Sequence, residues 1–225
     1  MLLGDLDLVL SFYLGASQTQ PSDLRVVQAS RGNDVTMRDV PWPGYPFRFE
    51  PYYGLRLSYN VRGHPQTRVS LDFTHYKIYA FTNQVVEQDG TWHGEPLHAV
   101  APMSEKVQSF EVTHGLNMLG LSLLQSVSGG PQGVYIGGGP VLYVPHSESR
   151  VDGIEGGDRY AFGGFGVQAQ AGVQGCVSHH ELFAEAKYNT GQLTMPIAEG
   201  TAQTTVRTAQ ELGGFDFGPC DGRSP

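Results

Sequence analysis

Residues 6–16 read Leu6-Asp7-Leu8-Val9-Leu10-Ser11-Phe12-Tyr13-Leu14-Gly15-Ala16, and this stretch decides the fold class. Leu6, Leu8, Leu10, Phe12, Leu14 and Ala16 share one parity, while Asp7, Val9, Ser11, Tyr13 and Gly15 share the other. A period of two fits a strand and cannot serve a helix. The pattern recurs at 53–61, where Tyr53, Leu55, Leu57 and Tyr59 alternate with Gly54, Arg56, Ser58 and Asn60. It recurs at 68–80, with Val69, Leu71 and Phe73, and at 165–175, with Val167, Ala169, Ala171 and Val173. Segments 110–125, 134–148, 181–191 and 204–217 complete a set of eight strands. No linker or break in composition divides them, so residues 1–225 are expected to form one domain, with strands over about 5–217 and a short C-terminal tail.

Composition narrows the class. Among 225 residues there are 30 glycines and only 16% charged residues, and Lys77, Lys106 and Lys187 are the sole lysines. Soluble domains carry about 25% charged residues. The 11 Tyr, 11 Phe and 2 Trp argue against disorder. No apolar run reaches the length of a transmembrane helix. The net charge of −8 argues against a nucleic-acid partner. The two ends of the strands also differ. Short turns follow the second, fourth and sixth strands, at Gly63-His64-Pro65-Gln66, Gly129-Gly130-Pro131-Gln132 and Ser178-His179-His180. Long loops follow the first (17–51) and third (81–109). The expected fold is therefore all-β: an eight-stranded antiparallel transmembrane barrel with its short turns periplasmic. A lipocalin-like soluble barrel, turned inside out, has the same period. The polar face decides against it, being Gly, Ser, Gln and Tyr rather than Lys and Glu. The chain begins without a basic segment or cleavage site, as expected of a mature outer-membrane form.

Arg56, Asp72, Glu185, Lys187 and, by the same parity argument, Arg207 are expected on the interior face. Eight strands enclose side chains and leave no aqueous pore. An ion-pair network filling the lumen is the simplest reading of these charges, with a transport or catalytic role as the alternative. Cys176 and Cys220 fall at the periplasmic end and are expected to form a disulfide.

Three histidines lie near the long-loop ends of consecutive strands: His75, His114 and His146. His75 shares parity with Leu71 and Phe73, His114 with Val112 and Leu116, and His146 with Leu142 and Val144. All three are expected to point outward, with Lys77 on the face of His75 and Glu148 on that of His146. A register pairing Tyr79 with Phe110 places His75 opposite His114. Pro140 and Pro145 could instead force a bulge that turns His146 inward. Interfacial histidines that anchor headgroups without chemistry are the alternative to a site.

Several stretches resemble the rhizobial lipid A oxidase family. They are Pro51-Tyr52-Tyr53-Gly54-Leu55-Arg56, Leu71-Asp72-Phe73-Thr74-His75 with Lys77-Ile78-Tyr79-Ala80, Gly115-Leu116-Asn117, Val144-Pro145-His146 and Phe183-Ala184-Glu185-Ala186-Lys187. They cover roughly 51–190. The chain departs from that family at His114, where an acidic residue is expected, in its long second loop and in the tail carrying Cys220. The resemblance implies an eight-stranded outer-membrane barrel. It also implies oxygen-dependent oxidation of the proximal glucosamine of lipid A to 2-aminogluconate, with hydrogen peroxide released. No nucleotide or flavin fingerprint is present, since Gly163-Gly164-Phe165-Gly166 belongs to a strand. Such chemistry would need a divalent metal on His75, His114 and His146, or on two of them with Glu148. Lys77 would meet a lipid A phosphate, and Asn117 would join it in binding substrate. A different class remains open: a non-enzymatic barrel that stabilises the membrane or docks a membrane-protein partner through its long loops. Trp92, His93, Pro96 and His98 of the 81–109 loop would supply such a surface. A soluble lipid binder is the third reading.

Overall fold

The computed structural model describes residues 8–43, 51–129 and 132–219. Twelve strands form one antiparallel sheet: β1 Leu8–Gln28, β2 Asn33–Trp42, β3 Tyr53–Asn60, β4 Thr67–Tyr79, β5 Val85–Trp92, β6 Glu95–Pro102, β7 Val107–Ser126, β8 Gly133–Val151, β9 Ile154–Tyr160, β10 Gly164–Val177, β11 His180–Ile197 and β12 Gly200–Pro219. Eight of them close into a ring in the order β1-β3-β4-β7-β8-β10-β11-β12, with β12 pairing back onto β1. These are the eight segments expected from alternation, and the fold is an eight-stranded antiparallel barrel.

Around the short-turn half, the side chains divide as a membrane barrel requires. Leu8, Leu10 and Leu14 of β1, Leu55 and Leu57 of β3, Leu119, Leu121 and Leu123 of β7 and Phe215 and Phe217 of β12 are exposed on the outer wall. Their inward neighbours Ser11, Ser58, Ser70, Asp72 and Thr74 are buried. The wall is apolar outside and polar inside, the arrangement of a sheet solvated by lipid.

The lumen is filled around one ion-pair layer. Arg56 Nε donates to Asp72 Oδ1 at 2.7 Å, and its two terminal nitrogens donate to Glu185 at 3.0 and 2.8 Å. Lys187 Nζ lies 3.6 Å from Asp72 and 3.7 Å from Glu185, so two cations face two carboxylates. Tyr135 donates to Glu185 at 2.8 Å. The Tyr13 hydroxyl lies 2.7 Å from that of Thr74, and its ring occupies the space that a side chain at position 54 would need. Gly54 is thus the residue that lets a tyrosine lie across the lumen. Nearer the short turns, Arg68 bonds Gln174 and pairs with Glu181 at 3.5 Å. Arg207 does not join this network. It is exposed on the outer face of β12, because Val206, Thr208 and Gln210 are the inward-facing residues there.

Much of the expected long loops, among the described residues, is also strand. β1, β7, β8, β11 and β12 run 18 to 21 residues, about twice what a tilted strand needs to cross hydrocarbon. Beyond the apolar band, a shift between Thr19 and Leu24 reverses the parity of β1. Odd residues face inward up to Thr19, and Ser22, Leu24 and Val26 face inward above it. The upper barrel therefore has the opposite dressing. Leu24, Val26, Met37, Met103, Phe110, Met195 and Val206 form an apolar interior. Asp23, Arg25 and Arg38 face solvent and pair with Arg38, Asp34 and Asp23 respectively. The β2 strand and the β5–β6 hairpin continue the sheet outward from β1. Hairpin tips then lock together, with Asp152 accepting from Arg31 at 2.5 Å and from His93 at 2.8 Å.

Breaking a buried ion network by removing one partner costs about 3–5 kcal/mol. We expect Arg56→Ala to lose stability on that scale in denaturant titrations of the liposome-embedded barrel. Arg56→Met combined with Glu185→Gln should recover much of it, and an Arg56→Ala variant as stable as the parent would refute the network's structural role. On the β5–β6 hairpin, the hydrogen bond from His98 to Asp89 at 2.5 Å, and then the charge of Asp89, raise the imidazole above its usual pKa. A raised pKa in the folded state means that this pair contributes fully below the unfolded imidazole value and is lost as pH rises through the raised one. In an NMR titration Asp89→Asn should move the His98 midpoint downward.

Candidate metal centre on the outer wall

Strand β8 carries Val144, His146, Glu148 and Arg150 on its outer face and Tyr143, Ser147, Ser149 and Val151 inward. Its alternation is unbroken, so Pro140 and Pro145 do not turn His146 inward. The irregularities lie on its neighbours. Against β4, Tyr76 pairs with Leu116 and Ile78 with Val112; against β8, Leu116 pairs with Pro145 and Glu111 with Glu148. Strand β7 thus holds two more residues than either neighbour between these pairs. The bulge turns on Gly115, at φ 103°, and throws His114 outward with 54% of its side chain exposed. His114 does point out of the barrel, but the parity argument for it was unsound: Val112 and Leu116 both face the interior.

On the other side, Ser147 pairs with Arg159 and Glu148 with Gly157, leaving Asp158 as an extra residue in β9. Gly157 has φ 92° and Asp158 φ 47°, so both lie in the left-handed region. Bulges re-aim side chains, and these two converge on His146. His114 Nδ1 donates to Glu148 Oε1 at 2.6 Å. His146 Nδ1 lies 3.9 Å from the same oxygen, and the two imidazole centroids are 4.7 Å apart. Tyr160 closes the other face of His146 at 4.7 Å, and its hydroxyl donates to the His114 carbonyl at 3.3 Å. His146 is left 9% exposed, and among the described residues its Nδ1 has no hydrogen-bond partner. A buried polar nitrogen left so costs about 1–3 kcal/mol, which a ligand at that atom would remove.

Ligand atoms of His114, His146 and Glu148 all lie within 4.8 Å of one another. Two imidazoles and one carboxylate make a donor set for a first-row divalent metal, with positions left open. The groove beside them, ≈ 640 Å³, is lined by Glu148, Glu155 and Asp158 against one guanidinium, Arg150. That balance favours a cation. A second cluster among the described residues, Glu87, Asp89 and His98, lies on the exposed hairpin, where His98 is already bonded to Asp89.

The other expected site residues lie elsewhere. The register pairing Tyr79 with Phe110 is not the one formed: Tyr79 pairs with Glu111 and, below the bulge, His75 pairs with Asn117. His75 therefore does not stand opposite His114. Its ring stacks on Tyr53 at 4.9 Å, and its Nδ1 donates to Asn117 Oδ1 at 2.9 Å. A side chain at position 115 would strike its ring at 2.3 Å, so His75 is the bed on which the bulge rests. Lys77 is buried in β4 at the level of the bulge. Cys176 lies near the end of β10, while Cys220 lies outside the described residues. Asp158 and Tyr160 escaped sequence reading altogether. The available signals were glycines within strand-like patterns, Gly115 after His114 and Gly157 before Asp158, which mark bulges.

No protein-family model matches the chain, and no curated protein matches it. Among solved structures the chain is similar to Neisserial surface protein A, at 12% identity and TM-score 0.44, covering 94% of this chain and 96% of that one. It is similar to outer membrane protein OprG from Pseudomonas aeruginosa, at 11% identity and TM-score 0.47, over 94% and 96%. It is similar to outer membrane protein AlkL, at 13% identity and TM-score 0.46, over 95% and 90%. Such likenesses concern the backbone course alone; the barrel itself is established by the closed ring and its outer apolar band.

Gly115→Ala places a methyl group against the His75 ring at a positive φ. We expect a loss of about 1–3 kcal/mol and a His114 displaced from Glu148. Loss of the His114–Glu148 hydrogen bond from NMR spectra of the variant would show it; an undisturbed pair would refute the role given to the bulge.

Proposed function

We propose that this chain is a bacterial outer-membrane barrel that oxidises lipid A at a metal held by His114, His146 and Glu148. The observation that carries the reading is the convergence of these three groups on the outer wall above the lipid-facing band, His114 being brought by the β7 bulge to His146 and Glu148 of β8. A lumen site would be closed to a membrane-anchored substrate, whereas this one faces the layer where glycolipid headgroups lie. With iron(II) bound, two histidines and a carboxylate support oxygen activation. His114 Nδ1 would have to give up the proton it holds against Glu148 if it were to ligate through that atom, and could keep it if it ligated through Nε2. Tyr160 fixes the His146 ring and shields it from water. Arg150, exposed in the groove, would meet a headgroup phosphate once a bound cation offsets Glu148, Glu155 and Asp158, whereas Lys77 is buried in β4. In the overall reaction the C1 hemiacetal of the proximal glucosamine loses two hydrogens to dioxygen. Hydrogen peroxide forms, and the resulting lactone opens with water to 2-aminogluconate. His75 and Asn117 support the centre from β4 and β7 rather than binding metal.

Mass spectrometry of lipid A tests the activity. Cells carrying the chain under aeration should show a gain of one oxygen atom, or the lactone lighter by two hydrogens. His114→Ala, His146→Ala and Glu148→Gln should abolish both products. Unchanged lipid A in aerated cells with the folded barrel in the membrane would overturn the reading. We also place Cys176 in a bridge with Cys220, an oxidised-compartment feature worth about 4 kcal/mol; two alkylatable thiols in the oxidised protein would remove it.

A further inference from the structure

We infer that Asp158 is a positioning residue for the metal centre: its carboxylate holds the proton of His146 on Nε2 and so keeps the Nδ1 lone pair directed at the metal. This rests on the reading of His114, His146 and Glu148 as ligands. The two nitrogens of His146 face different carboxylates. Nδ1 is turned toward Glu148 Oε1, and Nε2 lies 3.7 Å from Asp158 Oδ1. A neutral imidazole carries one proton. If it were on Nδ1, the ring could not ligate from the side that faces Glu148 and His114. A carboxylate beside Nε2 draws the proton there, and metal-bound histidines usually donate their other N–H to such a group.

Two further observations point the same way. Nδ1 of His146 is buried without a hydrogen-bond partner among the described residues, as expected of a lone pair awaiting a cation. Asp158 occupies the left-handed region at φ 47°, a costly conformation for a residue with a side chain. Its side chain is 86% exposed, so burial does not compensate. The gain from that conformation is its placement beside Nε2. Glu155 and Arg150 line the same groove, but Asp158 is the carboxylate within ion-pair distance of Nε2. It acts through His146 and does not touch the metal.

The test uses the full chain refolded in detergent, with Co(II) as probe. Wild type should bind one ion and develop visible absorption, and His146→Ala should do neither. Asp158→Ala should bind about 10–100-fold more weakly, as loss of such an outer partner does. Asp158→Asn, whose amide oxygen still accepts from Nε2–H, should recover part of that loss. In the metal-free protein, nitrogen-15 NMR of His146 should report the Nε2–H tautomer in wild type and a mixture in Asp158→Ala. Unchanged affinity and tautomer in Asp158→Ala would overturn the inference while leaving the three-ligand centre intact. Complete loss of binding, as in His146→Ala, would make Asp158 a direct ligand and also overturn it. Failure of wild type to bind Co(II) would instead overturn the metal centre itself.

Discussion

In hydrocarbon there is no water to satisfy a sheet edge, so each free backbone N–H and C=O at that edge costs several kcal/mol. The pairing of β1 with β12 removes that edge, and much else in the molecule follows from it. Eight strands give a ring just wide enough for side chains. Every inward residue must then fit and be satisfied at once. The pairing of Arg56 with both Asp72 and Glu185, the approach of Lys187 to the same two carboxylates, and the Tyr13 ring seated over Gly54 are one solution to that requirement.

The same ring continues above the membrane with its dressing reversed. A strand that leaves lipid and enters water must exchange its apolar and polar faces. In β1 the register shift between Thr19 and Leu24 does this within a few residues. Leu14 is on the outside below it and Leu24 is inside above it. The upper apolar interior then backs the outer wall at the level of His114, His146 and Glu148. Phe110, Val112 and Leu116 of β7 pack into that interior on both sides of the bulge. Between them His114 is turned outward.

The eight wall strands were legible because lipid and lumen impose opposite chemistry on alternate residues, and that contrast survives in the sequence. Arg56, Asp72, Glu185 and Lys187 were placed inside on the same ground, correctly. Above the membrane the contrast fades. The regions 17–51 and 81–109 read as loops although much of each is strand; in the first, a parity shift between Thr19 and Leu24 breaks the period. Arg207 was misplaced because β12 alternates polar with small residues at that level, and parity alone had no anchor. His114, His146 and Glu148, singled out in the sequence, do lie together on the outer wall, although the parity of His114 with Val112 and Leu116 does not hold. Sequence reading misjudged how they meet. Strict alternation put His75 opposite His114, but a bulge of two residues set Asn117 there instead. Bulges depend on backbone conformation at glycine, which one residue type announces only weakly.

A closed, filled barrel can build a site only on its rim or on its outer wall, and the wall is the harder place, since regular strands spread their side chains evenly. Bringing three ligand groups within 4.8 Å there requires breaking the period on the strands that flank the ligands. Here the flanking strands β7 and β9 are broken, while β8 between them stays regular. His146 and Glu148 thereby keep the rigid spacing of adjacent outward positions on one strand. His114 from one side and Asp158 from the other are brought to them. The division of labour is physical: the regular strand fixes the ligand pair, and the bulges supply reach. Substituting His114, His146 or Glu148 alone would leave that frame in place, whereas straightening the β7 bulge would carry His114 away from Glu148 and straightening the β9 bulge would carry Asp158 away from His146.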